Sequence, residues 1–318
     1  MDDSPRVEPS RPSRYHALIM NSRMPRFLAA AFLAAAPLSL GAETAAPPIE
    51  LVEAAPEKGF NYPYLLRMPP DPARAAGPYL LVEPNNTGTI SDDLQVHMDA
   101  ARKLAANAIG AYLAPRLQVP LLVPVFPRPK EEWRIYTHQL DRDTMLLTDG
   151  PMSRLDLQLI AMIDDARERL AARGFATRRE VLMTGFSASG TFVNRFAMLH
   201  PDRVRAAAGG GLNALLMIPR ASVGSTILPY PLGTADFKEV TGSPFREELW
   251  KRVPLFFYMG AEDANDAVEF DDGYSDEEKA AVHAALGKGM KERWERSQAL
   301  YREAGANVTL RTYEKVGH

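Results

Sequence analysis

The sequence predicts an α/β protein built on a mostly parallel sheet with helices on both faces. Three observations predict it. Short apolar runs alternate along the chain with stretches of helical periodicity, the pattern produced when parallel strands are joined by crossover helices. A glycine–serine turn, Gly185-Phe-Ser-Ala-Ser-Gly190, joins one such run, Val181-Leu-Met-Thr184, to a helical pattern over Thr191 to Leu199. Two later runs, Val253 to Met259 and Val308 to Tyr313, lead into Gly260-Ala-Glu-Asp263-Ala-Asn-Asp266 and Val316-Gly-His318, so that acids and an imidazole fall just past strand ends. Open α/β sheets build their sites at that edge.

The elements follow in order. Ile49 to Val52 and Asn61 to Met68 read as short strands of a meander, and Tyr79 to Val82 reads as the first buried strand, ending in the turn cluster Glu83-Pro-Asn-Asn-Thr-Gly88. Ser91 is placed to cap a helix whose apolar positions are Leu94, Met98, Ala101, Leu104, Ala105 and Ile109. Leu121 to Val125 is a second buried strand. Residues 153 to 173 form an amphipathic helix with Leu157, Ile160, Ile163 and Leu170 on one face, closed by Gly174. The turn at Gly185 and its helix come next, then a strand over Val204 to Ala208. Residues 211 to 252, with Pro219, Pro229, Pro231 and Pro244 and no sustained periodicity, read as an inserted, lid-like segment. Residues 275 to 304 read as helical, with Trp294, Leu300 and Tyr301 on the apolar face.

The amino terminus is separate from this pattern. Arg23 and Arg26 precede an apolar run, Phe27 to Leu40, followed by Gly41 and Ala42, which is the layout of a secretory signal peptide. The run is too short to span a bilayer, so the expectation is a leader over 1–42, started at Met1, Met20 or Met24, and one catalytic domain over 43–318 that is secreted or periplasmic. No stable membrane insertion is expected after cleavage. A length of 318 residues with 46% hydrophobic content suits a single large core, which needs no disulfide staples. The net charge of -3 argues against nucleic acid or an anionic membrane as partner. There is no cysteine and no phosphate-binding glycine loop, and no cofactor or metal is implied.

The turn at Gly185 has the context of a nucleophile elbow, in which a serine is thrust out of the sheet between small residues two before and two after it. Gly185 and Ser189 fill those places around Ser187; centring on Ser189 would put the β-branched Thr191 where a small residue is needed. A serine hydroxyl is a poor nucleophile near neutral pH. It needs a histidine to take its proton and an acid to hold the imidazole in one tautomer. Asp263 is the preferred acid, with Asp266 and Glu262 as alternatives, and Glu269, Asp271, Asp272 and Asp276 read as a solvated loop. His318 is the preferred base: His16 lies ahead of the apolar run of the leader, His97 and His283 lie in helix patterns, and His200 closes a helix. As His318 is also the last residue, the expectation is either a fragment or an imidazole lying beside its own carboxylate. The backbone N–H groups of Ala188 and Asn86 are assigned to the oxyanion hole, with Asn85 as the alternative to Asn86, because Pro84 has no N–H to give.

The set Leu81-Val-Glu-Pro-Asn-Asn-Thr-Gly88, Gly185-Phe-Ser-Ala-Ser-Gly190 and Gly260-Ala-Glu-Asp263 resembles the α/β-hydrolase superfamily over roughly residues 60 to 318. Within it the chain resembles secreted poly(3-hydroxybutyrate) depolymerase-like and feruloyl-esterase-like carboxylesterases. It departs from the depolymerase group in carrying Pro84-Asn85 where a His-Gly motif is usual. The nucleophile, acid, histidine order of that superfamily sets aside His138, which precedes the serine. The resemblance implies a serine hydrolase acting on a small-molecule or polymeric ester through an acyl-enzyme. The alternatives are a peptidase or acyltransferase of the same fold, or a non-catalytic protein that keeps it. In the hydrolase reading, Leu215, Met217, Ile218, Leu228 and Tyr230 of the insert are expected to face the acyl group.

Overall fold

The computed structural model describes residues 47–69, 71, 79–86 and 89–318. The segment 1–42, expected to be a leader, and Thr87 and Gly88 of the first turn lie outside the described residues. Strands β1 (Ile49–Val52), β2 (Tyr64–Arg67), β3 (Leu81–Val82) and β4 (Leu121–Pro124) come first, with helices α1 (Leu94–Asn107) and α2 (Ile109–Leu117) between β3 and β4. Then follow α3 (Arg142–Leu146), α4 (Leu155–Ala172), β5 (Val181–Phe186), α5 (Ala188–Leu199) and β6 (Val204–Gly210). The insert holds the hairpin β7 (Ser222–Val223) and β8 (Thr226–Ile227) and two short helices, α6 (Phe237–Thr241) and α7 (Glu247–Trp250). The chain closes with β9 (Leu255–Gly260), α8 (Asp276–Leu286), α9 (Met290–Glu303) and β10 (Val308–Tyr313).

Eight strands form one sheet in the order β1-β2-β4-β3-β5-β6-β9-β10. β2 pairs antiparallel with β1 and β4, and every other pairing in the sheet is parallel. β4 and β3 are buried throughout, as strands covered by helices on both faces must be. The register of the last pair sets Tyr313 beside Gly260, so the loops that follow β9 and β10 leave the sheet side by side. The acid and histidine segments are neighbours for that reason.

Local chemistry explains the helix ends. α1 is capped by Asp93, whose carboxylate accepts from the Gln95 N–H at 2.9 Å, and not by Ser91. α4 stops because Gly174 takes φ +80°, which lets Gly174 N reach Ala171 O and Phe175 N reach Leu170 O at 2.8 Å, a Schellman closure. Its buried face is Leu155, Leu159, Met162, Ile163, Ala166 and Leu170. Leu157, expected on that face, is 44% exposed. The helix expected over 275 to 304 is two helices, parted at Gly287 with φ +100°; the second buries Trp294, Leu300 and Tyr301 as expected.

Residues 211 to 252 correct a second expectation. Leu215, Met217, Ile218, Leu228 and Tyr230 do not face a substrate; all five are buried in the main core with Trp250. Polar contacts pin the segment there. Asn194 Oδ1 of α5 accepts from Met217 N at 2.8 Å, Tyr301 Oη donates to Met217 O at 2.9 Å, and Tyr230 Oη donates to Leu140 O.

Candidate active site

Ser187 sits between the end of β5 and the first residue of α5 with φ 59° and ψ -128°, a conformation that costs a non-glycine residue about 1–3 kcal/mol. Surrounding bonds hold it there. Ser187 N donates to Gly210 O at 2.8 Å, and Thr191 N donates to Ser187 O at 3.1 Å. Ser189 Oγ accepts from Phe186 N and donates to Phe186 O, both at 2.9 Å. Ser189 is therefore a buried brace of the turn, and Ser187 is the serine that faces the pocket. The small residues are required by close backbone approach: a Cβ on Gly185 would stand 2.4 Å from Ser189 O, and one on Gly190 would stand 2.6 Å from Gly210 O. Gly190, one place after the usual glycine, lets α5 lie against β6.

Asp263 Oδ2 accepts from His318 Nδ1 at 3.0 Å, with the carboxylate almost fully enclosed and the imidazole partly exposed. The pairing is built by the backbone. Ala261 N donates to Tyr313 O and Glu262 N to Val316 O, both at 2.9 Å, while a Cβ on Gly260 would stand 2.2 Å from Val316 O. The imidazole rests on the Phe186 ring with centroids 4.8 Å apart, and Gly211 leaves its other edge clear. Asp266 is not a competitor, because it accepts from Arg293 at 2.5 Å. The remaining acids of this loop are not merely solvated: Asp272 pairs with Arg128, Asp271 with Lys279, and Glu269 with His283 at 2.9 Å. Among the described residues no group of three His, Asp or Glu is placed to hold a metal.

His138 lies behind the site. It is fully buried, with Nε2 2.9 Å from Phe126 O, and burial pushes its pKa down to about 3, so it stays neutral. His200 closes α5 by bonding Asp156 at 2.8 Å.

A pocket of about 380 Å³ opens over Ser187 and is lined by Asn86, Ala188, Arg128, Tyr136, Gln139, Asn213, Asn265, Ala267, Phe270 and Asp272. Asn86 and Ala188 thus flank Ser187, and Asn86 Nδ2 donates to Phe186 O at 3.2 Å, tying its loop to the elbow. Asn85 has a different task. Its amide is buried, donating to Phe126 O at 2.8 Å and accepting from Phe126 N at 3.1 Å, which fixes the turn to the end of β4. Eight of the lining residues, Arg128, Tyr136, Gln139, Asn213, Asn265, Ala267, Phe270 and Asp272, were not named in advance as pocket residues, although Asn213 belongs to the segment expected at the pocket. The Arg128 guanidinium lies 3.9 Å over the Tyr136 ring and is ion-paired to Asp272. The one available signal was position: Arg128 follows a buried strand at the sheet edge where sites collect. Asn213 belongs to a run of left-handed residues, Gly211, Asn213 and Ala214, that only the fold reveals.

Glu83 follows β3 at the start of this turn. It is buried, its Oε2 accepts from Gly110 N at 2.8 Å, and burial pushes its carboxyl up to about 8 in spite of that bond. The unfolded carboxyl ionises near 4.5, so between pH 4.5 and 8 the folded state keeps a proton that the unfolded state has lost. Stability contributed by this group is complete below that window and falls as pH rises through it. Glu83→Gln keeps the acceptor and has no proton to lose. Its Tm is expected to match wild type near pH 4.5 and to exceed it at pH 8; parallel Tm profiles would show that Glu83 ionises without penalty.

No protein-family model matches the sequence, and no curated protein matches it. Solved structures do. Poly(aspartic acid) hydrolase-1 from Sphingomonas sp. KT-1 superposes with a TM-score of 0.54 at 18% identity, covering 86% of this chain and 94% of that one. LpqC, a poly(3-hydroxybutyrate) depolymerase from Bordetella parapertussis, gives 0.51 at 18% identity, covering 86% and 85%. At such identity the likeness speaks for architecture. The strand order, the strained serine between β5 and α5, and the acid and histidine past β9 and β10 agree with it, and the chain is an α/β-hydrolase in fold.

Proposed function

We propose that this protein is a serine hydrolase that cleaves carboxylic esters, small or polymeric, through an acyl-enzyme on Ser187. The observation that carries the reading is the strained Ser187 together with an Asp263–His318 pair whose imidazole rests on Phe186, the residue before that serine. Ser187 Oγ attacks the ester carbonyl carbon while its proton passes to His318 Nε2. The backbone N–H groups of Ala188 and Asn86 hold the oxyanion, the alcohol leaves with the proton from Nε2, and water repeats the sequence to release the acid. Asp263 keeps the imidazole proton on Nδ1, so that Nε2 meets the serine as an acceptor. The depolymerase named above supports an ester linkage. The poly(aspartic acid) hydrolase makes an amide the linkage to compare, because the triad chemistry is the same for both.

We infer from the leader-like pattern over 1–42 that this activity lies outside the cytoplasm. Among the described residues no helix is long and apolar enough to cross a membrane. Full-length protein expressed in a Gram-negative host is expected to turn over p-nitrophenyl acetate and butyrate, with the activity in the periplasm or medium, faster than matched p-nitroanilides. Activity confined to the cytosol would remove the export assignment, and no turnover of any ester would remove the esterase assignment.

A further inference from the structure

Asp263 uses both of its carboxylate oxygens inside the site. Oδ2 accepts from His318 Nδ1 at 3.0 Å, and Oδ1 accepts the backbone N–H of Asn265 at 2.9 Å. The turn closed by the second bond carries the Asn265 side chain back over the imidazole, where its Nδ2 stands 3.2 Å from Nε2. With the ring proton on Nδ1 and directed at Asp263, Nε2 has one lone pair and accepts from one donor at a time. Asn265 is that donor. Among the described residues no hydrogen bond joins Ser187 Oγ to His318.

We propose that Asn265 is a positioning residue that holds the His318 imidazole at rest: its amide occupies the Nε2 lone pair until an ester in the pocket draws it away, and the imidazole then turns to Ser187. The inference rests on the reading of Ser187 as nucleophile. Three features support it. The two donors exclude each other, since both need the same lone pair. Asn265 lines the pocket together with Ser187 and Ala188, so a molecule reaching the serine also meets the amide. Asn265 is exposed, so an ester oxygen or water can accept from its amide once it leaves Nε2, and one hydrogen bond is exchanged for another. The ring also has room to answer: it is partly exposed, and Gly211 has no Cβ where one would stand 2.8 Å from His318 Cε1.

The test uses the full chain, wild type, Asn265→Ala and Asn265→Asp, and measures the second-order rate of labelling by a small fluorophosphonate at pH 8. In parallel, 15N spectra of histidine-labelled protein follow Nε2 of His318, assigned by its loss in His318→Gln. Asn265→Ala frees the lone pair and is expected to label roughly twofold to tenfold faster, the worth of one neutral hydrogen bond, with the Nε2 resonance displaced from its wild-type position. Asn265→Asp is expected to label more slowly than wild type, because a carboxylate there accepts from a protonated ring and holds it in the form that cannot act as base. A residue serving only to shape the turn would slow both variants. Labelling of Asn265→Ala at the wild-type rate or below, or an unmoved Nε2 resonance, overturns the proposal while leaving Ser187 as nucleophile. A wild type that takes no label overturns the nucleophile reading, and with it the proposal.

Discussion

Ser187→Ala is expected to lower kcat for ester hydrolysis by roughly 10⁵- to 10⁶-fold, leaving only what the oxyanion donors and the pocket supply by binding. Stability should not follow. Among the described residues the Ser187 hydroxyl makes no hydrogen bond, and the strained φ of 59° is held by the backbone bonds of Gly210 and Thr191, which alanine retains. A variant with wild-type Tm and no activity separates chemistry from folding. Ser187→Ala with more than about a hundredth of wild-type kcat would mean that another group carries the acyl transfer.

The second large effect is expected from Asp263→Asn. The asparagine oxygen can still accept from Asn265 N, so the turn stays closed. Its amide presents a donor where the imidazole has been donating. The ring then places its proton on Nε2, pointing at Ser187, and the serine faces a donor where it needs an acceptor. A fall in kcat of about 10³- to 10⁴-fold with little change in KM is the expected result from steady-state kinetics. A drop confined to KM would show that Asp263 shapes the pocket and does not set the tautomer.

Much of this arrangement was legible in the chain because its determinants are local. The elbow follows from Gly185, Ser187 and Gly190 between an apolar run and a helical pattern, and the structure adds only the reason for each glycine. β10 runs over Val308–Tyr313 as read, since six residues with two β-branched threonines and a valine have few other uses. The preference for Asp263 over Asp266 rests on its place after Gly260, and tertiary structure supplies the reason: the β9–β10 register brings the histidine loop to one acid, while Arg293 of α9 takes the other. The pocket wall was illegible because its determinants are not local. Arg128 and Gln139 come from the β4–α3 connection, Asn213 from the segment after β6 and Asp272 from the one after β9, and nothing local marks them as meeting. The insert misled because apolar residues without periodicity look alike whether they cover a substrate or fill a core. Here bonds to α5 and α9 hold the five apolar residues in the core, and the segment meets the pocket only near its start, at Asn213.

The nucleophile assignment is the claim on which the rest depends, and covalent labelling addresses it most directly. The intact chain is incubated with a fluorophosphonate, digested, and the adduct located by peptide mass spectrometry. A single adduct on Ser187, absent from Ser187→Ala and strongly retarded in Asp263→Asn, is the result this account predicts. An adduct on Ser189 or any other residue, or none on a folded protein, would contradict it.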